Sequence, residues 1–328
     1  MTITAMVQNC RRTTIRDVSV LSLHHVTATV DDAQDDLDFC IGALGLRLVK
    51  KTVNFDNHHV YHFYYGDERG TPGTVWTTFP YKDRNVPVGR KGAGQVTVTS
   101  FSVPTGALSF WRTRLTARGV AVTDVEAPFG EPAVRFSDRS GLVFQLVATD
   151  RDERAPWIAE GFDDETAIHG LHSVAMVVRD PAKTLDLMTR LLGYDVVNET
   201  DGCIRVGAGG DKPGHLIDVV HHADEEPMMN GLGTVHHVAM AVSSDAEQLE
   251  LRRELLQYGC RVTDVRDRCY FKSIYFREPG GVLVEIATMA PGFTADEEVA
   301  RLGQDLKLPP WEEPYRAEIE PALARVTY

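Results

Sequence analysis

The stretch FKSIYFREPGGVLVEIA, from Phe271 to Ala287, indicates both the fold and the site of this chain. It reads as two strands of a hairpin, Lys272 to Phe276 and Gly281 to Ile286, because Glu278-Pro279-Gly280-Gly281 is a turn signal. In the second strand Glu285 is a lone carboxylate among apolar residues that should be buried. A buried carboxylate needs a partner, and a metal cation is an obvious one.

Two further strands begin with paired histidines. Val235 to Val242 reads VHHVAMAV, and Leu23 to Val30 reads LHHVTATV. Because alternate residues of a strand share a face, the second histidine of each pair lies on the same side as small residues that leave space for a ligand. His25, His237 and Glu285 therefore predict a metal site with two histidines and one carboxylate. That ligand set is typical of non-haem Fe(II) oxygenases.

Length and composition limit the class of protein. The chain has 328 residues, of which 43% are hydrophobic and 25% charged, as in soluble globular proteins. Its net charge of -13 argues against nucleic acid or an anionic membrane as partner. The five cysteines are odd in number and form no CxxC pair, which favours a reducing cytoplasm over a disulfide framework. Residues 1–20 lack a secretory signal and are interpreted as a leader.

The chain contains an internal repeat. The segment from Leu185 to Tyr194 matches that from Leu37 to Leu46 without a gap, and Tyr258 to Val265 mirrors Arg118 to Val125. In each unit the pattern predicts the element order βαβββ. We therefore predict an α+β fold of four βαβββ modules in two homologous halves, with sheets curled around the metal site. The modules cover residues 21–90, 94–149, 168–223 and 234–288.

This repeat predicts the domain boundaries. Residues 21–149 form the N-terminal half with modules 1 and 2, and residues 168–288 form the C-terminal half with modules 3 and 4. The acidic segment 150–167 is the predicted linker. The tail, residues 289–328, should wrap the body, and its sequence Thr294-Ala295-Asp296-Glu297 is a capping box that predicts a helix.

Alignment of the modules shows that only the first and the fourth retain histidine at the start of their first strand. At the position of His25 and His237, the second module has Val98 and the third has Ser173. At the position of Glu285, the first, second and third modules have Thr77, Gln145 and Asp218. A complete ligand set therefore requires the first and fourth modules to share one sheet. Thr77 stands where a metal isomerase of the glyoxalase type would need a second carboxylate. Three protein ligands leave positions for a substrate oxygen and dioxygen, which favours an oxygenase.

These features resemble the vicinal oxygen chelate superfamily, and the longer stretches resemble its hydroquinone ring-cleaving dioxygenases, the group that contains dichlorohydroquinone and chlorohydroquinone dioxygenases. The segments that carry the resemblance are LHHVTATV (23–30), LGLRLVKKTVNFD (44–56), YHFYYGDERGTPGT (61–74), FREPGGVLVEIAT (276–288) and DEEVARLGQDLKLPPW (296–311).

The resemblance implies an Fe(II)-dependent dioxygenase that inserts both atoms of O2 into a hydroquinone, substituted or not, in the degradation of aromatic compounds. It implies that His25, His237 and Glu285 hold Fe(II), with Mn(II) as the alternative metal and O2 as co-substrate. It also implies that the catalytic residues are His24, His236, Arg268 and Tyr275. Thr27 is the implied substrate-binding residue.

Alternative functions remain open at this point. An extradiol catechol dioxygenase would use the same triad, and a metal-free binding protein or a metal-dependent isomerase would use the same scaffold. His62 could still line the pocket, although it has no matched position in another module. The expected partner is a small aromatic diol, without nucleic acid or membrane, and exposed sheet edges would allow a homo-oligomer.

Overall fold

The computed structural model describes residues 19–328, so the leader assigned to residues 1–20 lies almost entirely outside the described residues. Within this range sixteen strands form two eight-stranded sheets, and five α-helices accompany them. The predicted α+β fold of repeated βαβββ modules is confirmed. No helix in residues 19–328 is both long enough and apolar enough to cross a membrane.

The first two modules follow the same element order. Module 1 contains β1 (Leu23–Val30), α1 (Ala33–Leu37) extended by a π-helical turn (Asp38–Ala43), β2 (Arg47–Asn54), β3 (Asn57–Gly66) and β4 (Val75–Pro80). Module 2 contains β5 (Gln95–Val103), α2 (Leu108–Ala117), β6 (Thr123–Ala127), β7 (Glu131–Ser137) and β8 (Val143–Ala148).

The last two modules repeat this order. Module 3 contains β9 (Gly170–Val178), α3 (Pro181–Arg190), β10 (Tyr194–Thr200), β11 (Cys203–Ala208) and β12 (Leu216–His221). Module 4 contains β13 (Thr234–Val242), α4 (Asp245–Tyr258), β14 (Arg266–Asp267), β15 (Lys272–Arg277) and β16 (Leu283–Thr288). In the tail, α5 spans Arg316–Ala322.

The first and last modules share one sheet. Its strand order is β14-β15-β16-β13-β1-β4-β3-β2, whereas the second sheet, β10-β11-β12-β9-β5-β8-β7-β6, joins modules 2 and 3. At the centre of the first sheet β1 pairs antiparallel with β13, and Thr27 lies opposite His237. Strand β1 also runs parallel to β4, as β13 does to β16. The two strands that begin with paired histidines are therefore direct neighbours.

Strand alternation separates the core of the protein from the site. Val26, Ala28 and Trp76 belong to the main hydrophobic core together with Leu37 and Leu44 of the helical segment. The intervening residues point to the other, concave face of the sheet. The strand pairing agrees with the alignment of the modules, since the equivalent cross-strand pairs are Thr27 with Thr77, Ser100 with Gln145, Ala175 with Asp218 and Ala239 with Glu285.

The tail departs from the sequence prediction at the capping box. Phe293–Ala295 forms one turn of 3-10 helix, and no α-helix starts at Thr294. The side chains of Asp296 and Glu297 instead bind the ammonium group of Lys50, which is fully buried on β2. Those contacts take the acidic side chains away from the helix N-terminus that the local sequence favours.

Candidate metal centre

His25, His237 and Glu285 meet on the concave face of the first sheet. The Nε2 atom of His237 lies 2.9 Å from Oε2 of Glu285, and Nε2 of His25 lies 3.4 Å from the same oxygen. The two Nε2 atoms are 3.3 Å apart. Among residues 19–328 these three side chains are the one group of three that offers metal ligand atoms within 4.8 Å of one another. All three are buried.

Each of the two histidines is oriented by the histidine that precedes it. Nδ1 of His25 lies 2.8 Å from Nδ1 of His24, and Nδ1 of His237 lies 2.8 Å from Nδ1 of His236. His24 also forms a hydrogen bond with the backbone of Thr288, which leaves its Nδ1 as the acceptor of an Nδ1–H from His25. The Nε2 lone pair of His25 is then free for a metal, as in other sites where a second group fixes the ligand tautomer.

The residues present fit a divalent metal. Glu285 receives a hydrogen bond from Ser273 at Oε1, but Oε2 is buried without a hydrogen-bond partner in residues 19–328. Burial raises the pKa of Glu285, but His25 and His237 outweigh that effect and hold the pKa well below its usual range. An ionised, buried carboxylate oxygen that faces two imidazole nitrogens is the arrangement that a cation satisfies.

A cavity of about 370 Å³ opens onto these ligands. This volume lies near the lower end of the roughly 300–1,000 Å³ range of small-molecule sites. Of the predicted site residues, those that line it are His25, His236, His237, Arg268, Tyr275 and Glu285. Aromatic rings supply much of the remaining wall, so the cavity suits a flat, largely apolar molecule with a few polar groups.

Arg268 and Tyr275 act together on one side of the cavity. Nε of Arg268 donates a hydrogen bond to Oη of Tyr275 over 3.1 Å, and its Nη2 lies 3.2 Å from Oδ2 of Asp56. Tyr275 lies opposite Glu285 on the neighbouring strand, and its ring contacts the ring of His237 edge to face. Strand pairing therefore places a guanidinium and a phenol beside the predicted metal ligands.

Two of the predicted site residues do not line this cavity. His24 is buried next to Phe271 and reaches the site through His25. Thr27 is fully buried, and its hydroxyl accepts a hydrogen bond from Thr77. Direct contact between Thr27 and a substrate remains a prediction, and the structure shows Thr27 in a polar contact within the sheet.

Several cavity residues had no clear signal in the sequence. His62 lines the cavity, together with Tyr64 and Phe79 on neighbouring strands. Asp56 also lines it, from the turn between β2 and β3. The strand alternation could have placed His62 and Tyr64 on one face, but only the pairing of β3 with β4 brings that face to the metal ligands.

The second sheet contains an internal ion pair at the equivalent position. Asp218, which aligns with Glu285, binds the guanidinium of Arg205 through both oxygens at 2.6 and 3.0 Å. Glu131 binds the same guanidinium at 2.7 Å and lies 3.3 Å from Nε2 of His172. In the second sheet an arginine side chain thus supplies the positive charge beside the carboxylate that aligns with Glu285.

Comparison with known proteins identifies the family. Residues 170–286 match the family model of the Glyoxalase/Bleomycin resistance protein/Dioxygenase superfamily. The chain is 42% identical over 303 residues to a Bacillus subtilis (strain 168) protein provisionally named ring-cleaving dioxygenase MhqO, covering 92% of this chain and 96% of that one. It is 35% identical over 306 residues to the chlorohydroquinone/hydroquinone 1,2-dioxygenase of Sphingobium indicum, covering 92% and 95%.

Solved structures show the same relationship. A crystal structure of a provisionally named dioxygenase from Bacillus subtilis matches with a TM-score of 0.90 at 40% identity, covering 94% of this chain and 98% of that one. Glyoxalase I from Zea mays, with a TM-score of 0.61 at 13% identity and coverage of 81% and 92%, shares the fold. The chain therefore belongs to the glyoxalase/bleomycin resistance protein/dioxygenase superfamily, and its full-length relatives place it among the ring-cleaving dioxygenases, a class of enzymes.

Proposed function

We propose that this protein is an Fe(II)-dependent dioxygenase that cleaves the ring of a hydroquinone and inserts both atoms of O2, in the breakdown of aromatic compounds. The observation that carries the proposal is the convergence of His25, His237 and Glu285 at the end of an aromatic cavity. The relative from Sphingobium indicum, named for chlorohydroquinone and hydroquinone, supports the substrate class.

The side chains of the proposed metal ligands are already oriented by neighbouring residues of the protein. His24 and His236 hold the rings of His25 and His237 through their Nδ1 atoms, so that the Nε2 atoms face Glu285. Three protein ligands suit Fe(II), which when bound would supply Lewis acidity and open positions for substrate and dioxygen. Mn(II) prefers similar ligands and is the alternative.

Arg268 and Tyr275 are placed to stabilise negative charge on the substrate. Burial lowers the pKa of Arg268, but Tyr275 and Asp56 raise it more, so the guanidinium stays charged. Burial raises the pKa of Tyr275, so its phenol keeps its proton and remains a donor. Donors held in a water-poor site stabilise oxyanions that develop during reaction.

His236 is the histidine best placed to transfer a proton. Its ring lines the cavity, and since Nδ1 is engaged by His237, Nε2 is the ring nitrogen left for a substrate. Burial, with His237 next to it, lowers the pKa of His236 to about 3, so the ring is neutral. Because its Nδ1 faces His237, proton transfer to or from a substrate hydroxyl would occur at Nε2.

Oxygen uptake by protein loaded with Fe(II) under anaerobic conditions tests the proposal. Hydroquinone, chlorohydroquinone, methylhydroquinone and catechol are offered in parallel, with His237→Ala as the control variant. Uptake with a para-diol that is lost in the variant is the expected result. Uptake with catechol alone would identify an extradiol catechol dioxygenase, and no uptake with any diol despite bound iron would reject ring cleavage.

A further inference from the structure

His62 stands in the cavity wall at a place that the proposed reaction does not use. It lies on β3 with only 9% of its surface exposed, and that surface lines the cavity. The centre of its ring is 3.9 Å from that of Tyr64 and 4.3 Å from that of Phe79. These two rings hold the plane of the imidazole, so its nitrogen atoms point in defined directions.

A chain of hydrogen bonds determines which nitrogen of His62 carries the proton. The hydroxyl of Thr77 donates to Oγ1 of Thr27 over 2.8 Å, and Nε2 of His62 lies 2.9 Å from Oγ1 of Thr77. A hydroxyl has one hydrogen to donate, so Thr77 must accept from Nε2–H of His62. Burial lowers the pKa of His62 well below its usual range, which makes the ring neutral. Nδ1 then carries a lone pair.

That lone pair faces the cavity. Within residues 19–328 the hydrogen bond of the His62 ring is the one that Nε2 makes with Thr77, which leaves Nδ1 for a ligand in the cavity. His62 lines the cavity, and so do Tyr64 and Phe79, whose rings pack against it. Nδ1 is thus a hydrogen-bond acceptor beside the aromatic rings of Tyr64 and Phe79.

We propose that Nδ1 of His62 accepts a hydrogen bond from the substrate hydroxyl that does not reach the metal ligands, so that His62 selects diols over monophenols. This inference rests on the proposed function, because it concerns the second hydroxyl of the same substrate. It makes His62 a specificity-determining residue. Thr77 and Thr27 act through it, because they fix its tautomer.

Binding measured by calorimetry without oxygen tests this role separately from catalysis. The two probes are hydroquinone and 4-methoxyphenol, whose methyl ether cannot donate a hydrogen bond. Wild-type protein should bind hydroquinone about tenfold more tightly, which corresponds to about 1.4 kcal/mol. His62→Leu should lose this preference while its affinity for 4-methoxyphenol stays within about twofold. His62→Asn, whose carboxamide oxygen can replace Nδ1, should restore part of it.

A matched control and a second measurement keep the outcomes distinct. His59→Leu changes an exposed histidine of the same strand and should leave the preference unchanged. Nitrogen NMR of Zn(II)-loaded protein should show His62 protonated at Nε2. A preference retained in His62→Leu, or protonation at Nδ1, would overturn this inference while leaving ring cleavage intact. If the wild-type protein binds no diol, both the proposed function and the role of His62 are wrong.

Discussion

Nδ1 of His25 lies 2.8 Å from Nδ1 of His24, and the same arrangement joins His237 to His236 on the neighbouring strand. Adjacent residues of a strand usually point to opposite faces, yet here each pair turns its rings towards each other. One member of each pair is a predicted metal ligand, and the other contacts the Nδ1 atom of its ring. The repeat of this arrangement in two modules makes the orientation of the ligands a property of the strand sequence.

His24→Leu should therefore weaken metal binding without removing a ligand. We expect the affinity for Fe(II) to fall about 10- to 100-fold, the usual effect of losing a partner that orients a metal-binding histidine. Competition with a chelator under anaerobic conditions measures this directly, and His59→Leu is the control at an exposed position. An affinity within twofold of wild type would show that His24 does not orient His25.

Glu285→Gln should abolish stabilisation by metal. A metal present at 100 times its dissociation constant raises the free energy of unfolding by about 2.7 kcal/mol if it binds only the folded state. Thermal unfolding with and without Fe(II) should show this increase in the wild type and not in the variant. In chelator at neutral pH the variant should be less stable than wild type, because the low pKa of Glu285 means that His25 and His237 stabilise its charge in the folded state. An equal metal-dependent increase in both proteins would place the metal elsewhere.

Arg268→Lys should lower kcat/KM by about 100-fold, mainly through kcat. The ammonium group of lysine keeps the charge but cannot reproduce the planar contacts of Arg268 with both Tyr275 and Asp56. Steady-state oxygen uptake measures the change, and Arg253→Lys, at an exposed site on α4, is the control. A variant with unchanged kcat would remove Arg268 from the catalytic residues.

Lys50→Met should destabilise the fold by about 3–5 kcal/mol, since it leaves the buried carboxylate of Glu297 and the neighbouring Asp296 without their cation. Lys82→Met, which breaks an exposed ion pair with Asp32, should cost less than about 1 kcal/mol. Chemical denaturation compares the two variants. Adding Glu297→Gln to Lys50→Met should recover part of the loss, and the absence of any recovery would argue against unpaired charge as the cause.

Asp36 should make stability depend on pH. Burial raises its pKa from 3.8 to about 6, although hydrogen bonds from Thr78 and Tyr65 oppose the shift. The folded state therefore binds the carboxyl proton of Asp36 more tightly than the unfolded state does. The contribution of this proton to the free energy of unfolding is greatest below pH 4 and is lost as the pH rises to 6. As the pH rises from 4 to 8, the free energy of unfolding of Asp36→Asn should increase relative to that of wild type by on the order of 3 kcal/mol.

Urea unfolding at several pH values measures this difference, with Asp164→Asn as the exposed control. The control should follow the wild-type curve. If Asp36→Asn follows it as well, the carboxyl of Asp36 titrates at the same pH in the folded and unfolded states, and the predicted effect is wrong.

The sequence by itself determined the modules, the strands that begin with paired histidines, and the three candidate ligands. These depend on alternation along a strand and on the repeat, both of which are local properties that survive in any tertiary arrangement. The turn at Glu278-Pro279-Gly280-Gly281 likewise follows from the residues that form it. The family resemblance added the surrounding residues Arg268 and Tyr275, which the structure brings to the same cavity.

The sequence required the first and fourth modules to share a sheet, but only the tertiary structure showed that their strands β1 and β13 pair directly. This pairing brings together His25 and His237, which are 212 positions apart. The tertiary structure also brought His62 into the cavity through the pairing of β3 with β4. In the second sheet it placed the guanidinium of Arg205 against Asp218, the residue that aligns with Glu285. It also overrode the capping box at Thr294, because the side chains of Asp296 and Glu297 bind the buried Lys50 and no α-helix starts there. Where no internal repeat relates two distant residues, as with His62 and Thr77 or with Lys50 and Glu297, the sequence carries no pattern that predicts their contact, and only the folded chain reveals it.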